Sequence, residues 1–371
     1  MKKKLAIICA NTDVLPLVNK AKEFGIETHC FGWDKENYTQ CKGIADYFHP
    51  ISIVENELIL RKCKEIKIDG IASIVNDYAV PTVAYVAENM GLPGNRYEDM
   101  LIAGNKFKSR QAFLKNGVNS PLFTIAIEGE EPDLTRFQYP LIVKPTDRCS
   151  SVGVKKVNNK TELLEAIQIA QQLSYSHEAI IEEFIPGSEA TLDMISWKGK
   201  HYPIIISDTE TTGAPHYLKI GYHQPSHLNQ DIQTKIINEA KKALTALKFE
   251  FGVSDTEVKV TETGEVKLIE INPRMGADNT EFLVNLSIGY DLIKGVIDIA
   301  LGQFEEPIFQ YKKFSGVYYY YKDKLEWLKQ IVENKENDHD IIKSVIYHED
   351  EIFLGRIGHI IYQSDQKRRL R

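Results

Sequence analysis

The stretch LIEINPRMGAD, residues 268–278, sets Glu270 and Asn272 two positions apart, with Arg274 two further on. Side chains in a strand alternate sides, so this carboxylate and amide share one face at the end of an otherwise apolar run. GVSDTEVKV (252–260) reads as a second strand, joined to EVKLIEINP (265–273) by the polar turn TETG, a hairpin with Glu257 on its first strand. Antiparallel neighbours bring such groups within about 5 Å of one another. Two carboxylates and an amide that converge repel unless a cation sits between them. Hard oxygen ligands without His or Cys suit Mg2+, which shares its coordination sphere with nucleotide phosphates. Spacing alone leaves that reading open beside a plain polar turn on a surface strand.

Lys144 closes the short apolar run YPLIVKPT and is followed by DRCSSVGV, residues 147–154. A lysine emerging beside Ser150, Ser151 and Gly153 suits phosphate oxygens, which hydroxyls and backbone N–H groups cradle while the ammonium neutralises them. The Walker pattern is absent, and most Ser/Gly loops are merely turns. Arg274 can span phosphate oxygens bidentately or form a surface ion pair. Cys149 has no evident partner base, so it reads as an incidental small residue.

These groups need a scaffold, and the bulk numbers bound it. The 371 residues are 43% hydrophobic and 26% charged, with a net charge of −7. That length suits two or three domains. The acidic balance argues against nucleic acid or an anionic membrane as the main partner. Five scattered cysteines form no C-x-x-C pair and suggest neither a disulfide framework nor zinc. No apolar run approaches the roughly 20 residues of a membrane span. The start MKKKLAIICANTDV reads as a first strand, because its apolar core is too short for a leader. A cytoplasmic enzyme is the default, and the closing QKRRLR reads as a solvated, frayed end.

Residues 1–95 alternate strand and helix patterns, which implies an open parallel sheet with covered faces. The first turn lacks G-x-G-x-x-G, which counts against a nicotinamide dehydrogenase. Asp77, at the end of the third strand of this reading, could face a ligand at the sheet's carboxyl edge, although as a lone acid it reads first as a turn or cap residue. Two helices follow over 96–120, then the Lys144 strand and a helix after Thr161, its expected cap. IEEFIPGSE (181–189) lies between two strands parted by a Pro-Gly turn. A helix over 230–249, the hairpin, and helical residues 280–301 come next. The last 65 or so residues, with SGVYYYY, SVIYH and HIIYQ, suggest a small β-rich domain whose tyrosines are half-buried.

Taken in this order, the segments over about residues 1–303 resemble the ATP-grasp superfamily, and within it the L-amino-acid ligases and related carboxylate–amine ligases; carbamoyl-phosphate-synthase-like proteins are also similar. The resemblance implies a mixed α/β and α+β architecture: a pre-ATP-grasp sheet (1–95), a two-lobed ATP-grasp fold (96–303) with a mobile lid at about 119–185, and a β-rich C-terminal domain (304–371). It implies that Lys106 and Lys144 reach the phosphates of ATP and that 147–154 covers them through Ser150 and Ser151. Glu182, Glu183, Phe184 and Ile185 would meet adenine, and Glu189 the ribose. Glu257, Glu270 and Asn272 match the Mg2+ ligands (Mn2+ as an alternative), and Arg274 the residue steadying the transferred phosphoryl group, with Arg274 and Lys144 as the catalytic pair. The covering loop departs from its relatives in carrying serines where glycine is usual.

Such enzymes activate a carboxylate as an acylphosphate and let an amine displace the phosphate. The expected partners are therefore a small carboxylate, such as an amino acid, and an amine. A purine-pathway or carbamoyl-phosphate-synthase-like ligase is the second reading, and an ATP-grasp phosphotransferase acting on a hydroxyl the third. His216, His223 and Asp278 are the candidates for substrate recognition, each read more readily as a surface or structural residue. The oligomeric state stays open, a homodimer among the options.

Overall fold

The computed structural model describes residues 2–370 apart from 36–37, 214–216, 350–351 and 353. Three sheets order the chain. The first is parallel and built from β1 (Lys4–Ile8), β2 (Glu27–Phe31), β3 (Tyr47–His49) and β4 (Gly70–Ala72) in the order β3-β2-β1-β4. Its strands are buried on both faces, β1 against Val14, Leu17 and Ile297 on one side and Ile59 and Val86 on the other. The three-residue β3 was not visible in the sequence, where no alternation marks it. The chain reverses direction of travel across the sheet between β1 and β4, which opens a crevice beyond their carboxyl ends.

The second sheet is antiparallel: β5 (Phe123–Ile127), β6 (Leu141–Pro145), β7 (Lys155–Val157) and β8 (Glu178–Glu183), in the order β5-β8-β6-β7. The helix Lys160–Leu173 covers it with Leu163, Ala166, Ile167 and Ala170. Its cap is Asn159, whose side chain accepts from the Glu162 N–H, and not Thr161. Asn tolerates the extended cap conformation and its short carbonyl reaches that orphan donor.

The third sheet has eight strands. β9 (Ser188–Trp197), β10 (Lys200–Thr211), β11 (Lys219–Gln224), β12 (Gly252–Val260), β13 (Val266–Asn272), β14 (Phe314–Tyr320), β15 (Ile341–Ile346) and β16 (Gly358–Ser364) run in the order β13-β12-β9-β10-β11-β14-β16-β15. Thus the C-terminal strands hydrogen-bond directly onto β11 and extend the sheet that carries the hairpin. One face is apolar beneath the helix Gln230–Ala246, where Leu192, Val258, Leu268 and Ile271 pack against Ile236, Ala240 and Leu244. Gly187 turns the chain from β8 into β9 with φ +133°, where an added Cβ would lie 2.1 Å from the Val260 carbonyl oxygen. No residue but glycine fits there.

Two expectations for the C-terminal region change. Tyr318, Tyr319 and Tyr320 are buried, because helices cover both faces here: Leu325–Glu333 contributes Leu328 to the cluster of Tyr318 and Tyr320, and Leu283 packs with Tyr319 on the other face. The basic tail is docked through at least residue 370. The Tyr318 hydroxyl donates to the Arg368 carbonyl at 2.8 Å, Arg368 pairs with Asp338 at 2.6 Å, and Leu370 is buried.

Candidate active site

The hairpin places its carboxylates by register. Glu257 is paired with Glu270 across β12 and β13 and with Thr191 on β9, and one step along lies the row Asp193–Asp255–Asn272. A simple alternation would set Glu270 on the same side as Leu268 and Val266, which are core residues. A β-bulge resolves the conflict: Val258 pairs with Leu268 and Glu257 with Glu270, so Ile269 is the extra residue. The bulge re-aims the strand, leaving Val266 and Leu268 inward and Glu270 and Asn272 toward the cleft.

Lysines answer these acids. Lys106, first residue of the helix Lys106–Lys115, sits 2.9 Å from Glu270, and its Nζ also donates to the Arg148 carbonyl in the 147–154 loop. Burial would raise the Glu270 pKa, but Lys106, Lys144 and Arg110 outweigh it and hold the carboxyl down at about 2. Burial works against the Lys106 ammonium, and Glu270 more than compensates, so its pKa is raised. Lys219 pairs with Glu257, and Lys259 with Glu189 at 2.8 Å. Glu189, Thr191, Lys219, Glu257, Lys259 and Ile269 line one cleft of about 280 Å³.

The expected hinge residues divide. Glu182, 2% exposed, is held between Arg110 at 2.8 Å and Lys144 at 2.7 Å, and these cations keep its carboxyl below the usual range despite burial. Arg110 also donates to the Ile269 carbonyl, so it ties the second sheet to the bulge of the hairpin. Glu183 accepts from the Leu122 N–H at 2.9 Å. The Phe184 N–H donates to the Pro140 carbonyl, its ring lies under the Lys156 ammonium at 3.9 Å, and Ile185 is buried. Ser150 and Ser151 both adopt left-handed backbone, φ +56° and +57°. This is the region glycine occupies without cost.

Arg274 is clamped. Its Nε and one terminal nitrogen donate to the two oxygens of Asp77, at 2.9 and 3.2 Å, and the other lies 3.6 Å from Asp255. Burial opposes its charge, but Asp77 and Asp255 raise its pKa further. Asp77 lies in a turn as expected, Asp77–Ala79, but is not its cap: Asn76 caps that turn, accepting from the N–H groups of Tyr78 and Ala79. Asn272 donates to Asp255 at 3.2 Å. Burial lifts Asp255 to about 6 and Asp193 well above the ordinary carboxylate range.

The weakest candidates scatter. His223 is turned away from the cleft: it is fully buried, 3.0 Å from the Tyr362 hydroxyl and 3.2 Å from Glu210, and tilts over Tyr318. It serves packing there, while its neighbour Tyr222 takes the cleft-side face, as alternation requires. Asp278 binds Arg356, whose guanidinium lies 3.8 Å over the Tyr319 ring and donates to the Lys219 carbonyl at 2.7 Å. His216 lies outside the described residues.

Several partners escaped the sequence reading. Arg110 stands one turn after Lys106 on the same helix face, and Asp255 two before Glu257 on the same strand face, so periodicity carried a signal for both. Nothing in sequence links Arg356 to Asp278 or Asp77 to Arg274.

The donor set fits a divalent cation on a polyphosphate. Among the described residues no three His, Cys, Asp or Glu side chains converge as a metal cage. Two paired carboxylates with an amide instead leave coordination positions for phosphate and water oxygens, the pattern usual for Mg2+.

With bulge, lysines and clamped arginine in place, the comparison with known families can be read: residues 137–281 match the ATP-grasp domain family. It is similar to the alanine–anticapsin ligase of Bacillus subtilis strain 168, 28% identical over 294 residues, covering 70% of this chain and 62% of that protein. The chain thus spans less than two thirds of that relative's length. Its fold is that of the L-amino acid ligase from Bacillus licheniformis, with a TM-score of 0.82 over 98% of this chain and 94% of that one at 23% identity. The Staphylococcus aureus N5-carboxyaminoimidazole synthetase, solved with ADP, follows at 0.79 over 99% and 95%, with 16% identity.

Proposed function

We propose that the protein is an ATP-dependent carboxylate–amine ligase that activates a small carboxylate, an amino acid in the first instance, as an acylphosphate. Its modules in this reading are 1–95, 96–303 with a lid at about 119–185, and 304–371. The observation that carries it is the meeting of three chain segments: Lys106 on Glu270, Arg110 bridging Glu182 to the Ile269 bulge, and Lys144 on Glu182. Such convergence of cations on a carboxylate-bearing ribbon serves a polyanion. The alanine–anticapsin ligase supports the choice of amino acid and amine as substrates. No described helix is long and apolar enough to cross a membrane, and we place the enzyme in the cytoplasm.

Glu257, Glu270 and Asn272 would hold Mg2+. The ion supplies charge neutralisation of the phosphates and fixes their geometry. Lys106 and Lys144, now committed to Glu270 and Glu182, turn to the phosphate oxygens. A carboxylate oxygen of the acid attacks the γ-phosphorus and ADP departs. The amine then attacks the acyl carbon, phosphate leaves, and a proton is released. Arg274 stabilises charge on the phosphoryl oxygens during transfer; positioning and electrostatics supply the rate, with no nucleophilic side chain. The lid keeps water from the acylphosphate. The test is hydroxylamine trapping across a panel of L-amino acids with ATP and Mg2+. A hydroxamate that depends on the acid supports the ligase, and a stable phosphorylated alcohol would replace it by a phosphotransferase.

A further inference from the structure

Around the cleft several carboxylates have their own cation: Lys219 for Glu257, Arg110 and Lys144 for Glu182, Lys259 for Glu189, Arg356 for Asp278. Asp77 differs from these: its ion-pair partner is Arg274, which holds it through two nitrogens and lies 3.6 Å from Asp255, and which is the one guanidinium that the proposed reaction calls to another anion. Asp77 also stands where the first sheet changes direction. It follows β4, and the loops after β1 and β4 are tied together there: the Ser73 hydroxyl donates to the Ile8 carbonyl at 2.6 Å, and the Asn76 amide donates to the Cys9 thiol sulfur at 3.6 Å. Crevices of this kind are where open parallel sheets receive ligands. The next residue, Tyr78, packs edge-on against Tyr175, whose ring lies 3.7 Å beneath the Arg148 guanidinium of the covering loop. One short turn therefore touches both the clamped arginine and the phosphate-covering segment.

We propose that Asp77 is the binding residue for the amine substrate and that it takes that substrate as an ammonium. While the site is empty, Arg274 and Asp77 neutralise each other. When Arg274 engages the acylphosphate, the Asp77 carboxylate, whose side chain is 27% exposed, loses its counter-charge at the edge of the crevice. A part-buried carboxylate left so is costly, and a substrate ammonium restores the pair. Acid activation thereby creates the site for the second substrate, so the amine binds after the acid. The ammonium gives up one proton to solvent before its lone pair attacks the acyl carbon, and phosphate leaves. This inference rests on the ligase reading.

The experiment compares two nucleophiles on one acylphosphate. Hydroxylamine is neutral at pH 7.5 and needs no carboxylate to hold it; an L-amino acid arrives charged. With the pair of L-amino acids that gives the most phosphate release in the wild type, the amide-to-hydroxamate ratio is measured for wild type, Asp77→Asn and Asp77→Glu. In Asp77→Asn the ratio falls about 10- to 100-fold, the size expected for one hydrogen bond to a charged group, with the loss in the KM for the amine. Asp77→Glu recovers part of it. A ratio unchanged in Asp77→Asn, with both products falling together, overturns the proposal and leaves Asp77 as a prop for Arg274. Absence of hydroxamate in the wild type with every acid would instead overturn the ligase reading on which it depends.

Discussion

One face of the eight-stranded sheet carries two unlike regions. Across β9, β12 and β13 it presents Asp193, Asp255, Glu257 and Glu270 to the cleft. Across β11, β14 and β16 it presents Tyr222, Val317, Tyr319 and Ile361, roofed by Leu283 and Leu286 of the helix Thr280–Ile288. Both regions obey the same period-two geometry; what differs is the covering element. The aromatic half is sealed by a helix, and polar groups such as His359 Nδ1, 2.7 Å from the Tyr347 hydroxyl, pair within the fold. The acidic half is faced by Lys106 of the helix Lys106–Lys115, by Lys219 of β11 and by Arg274 after β13. A surface whose charges are answered from elsewhere can exchange those partners for a ligand, and one sealed by its own helix cannot.

Substitutions can break this contrast. The largest effect is expected at Glu270→Gln, which should lower Mg2+-dependent ATP turnover by at least about 100-fold, read by phosphate release; the comparable loss for one preorganised electrostatic group is of this order. Glu182→Ala should cost about 3–5 kcal/mol in urea denaturation, because Arg110 and Lys144 are left buried and unpaired. The two halves should also separate by pH. Burial lowers His359 from 6.5 to about 4, so the unfolded chain binds its proton first. Stability from this group is complete above pH 6.5 and is lost as pH falls toward 4, by up to about 3 kcal/mol. Glu270 is held at about 2 against 4.5, so its contribution is lost only as pH falls from 4.5 toward 2. Stability curves for His359→Asn and Glu270→Gln should therefore rejoin the wild type in different windows. The smallest effect is expected in Ser151→Gly, which relieves a left-handed serine and should raise stability by about 1 kcal/mol or less.

Alternation and turn chemistry made the hairpin, its facing carboxylates and the parallel first sheet legible, since each is set by residues close in the chain. The bulge at Ile269 was not, although it decides which way Glu270 points: VKLIEIN reads equally well as an unbroken strand, and only the competing demand of the core beneath Leu268 selects the extra residue. His223 failed for the converse reason, because parity within β11 depends on which face the C-terminal strands cover. Pairs such as Asp77–Arg274 and Arg356–Asp278 join residues far apart in sequence, and no local pattern encodes them. Serines where similar loops carry glycine were readable, and their positive φ angles are what that departure demands.

The seam between β11 and β14 has a practical meaning for anyone shortening this polypeptide. A version ending before Phe314 would strip β11 of its outer neighbour and bare a row of amide and carbonyl groups from Gly221 to Gln224. Unmated strands of this kind recruit other chains, so such a fragment should clump during expression even though every residue proposed to touch ATP is still aboard.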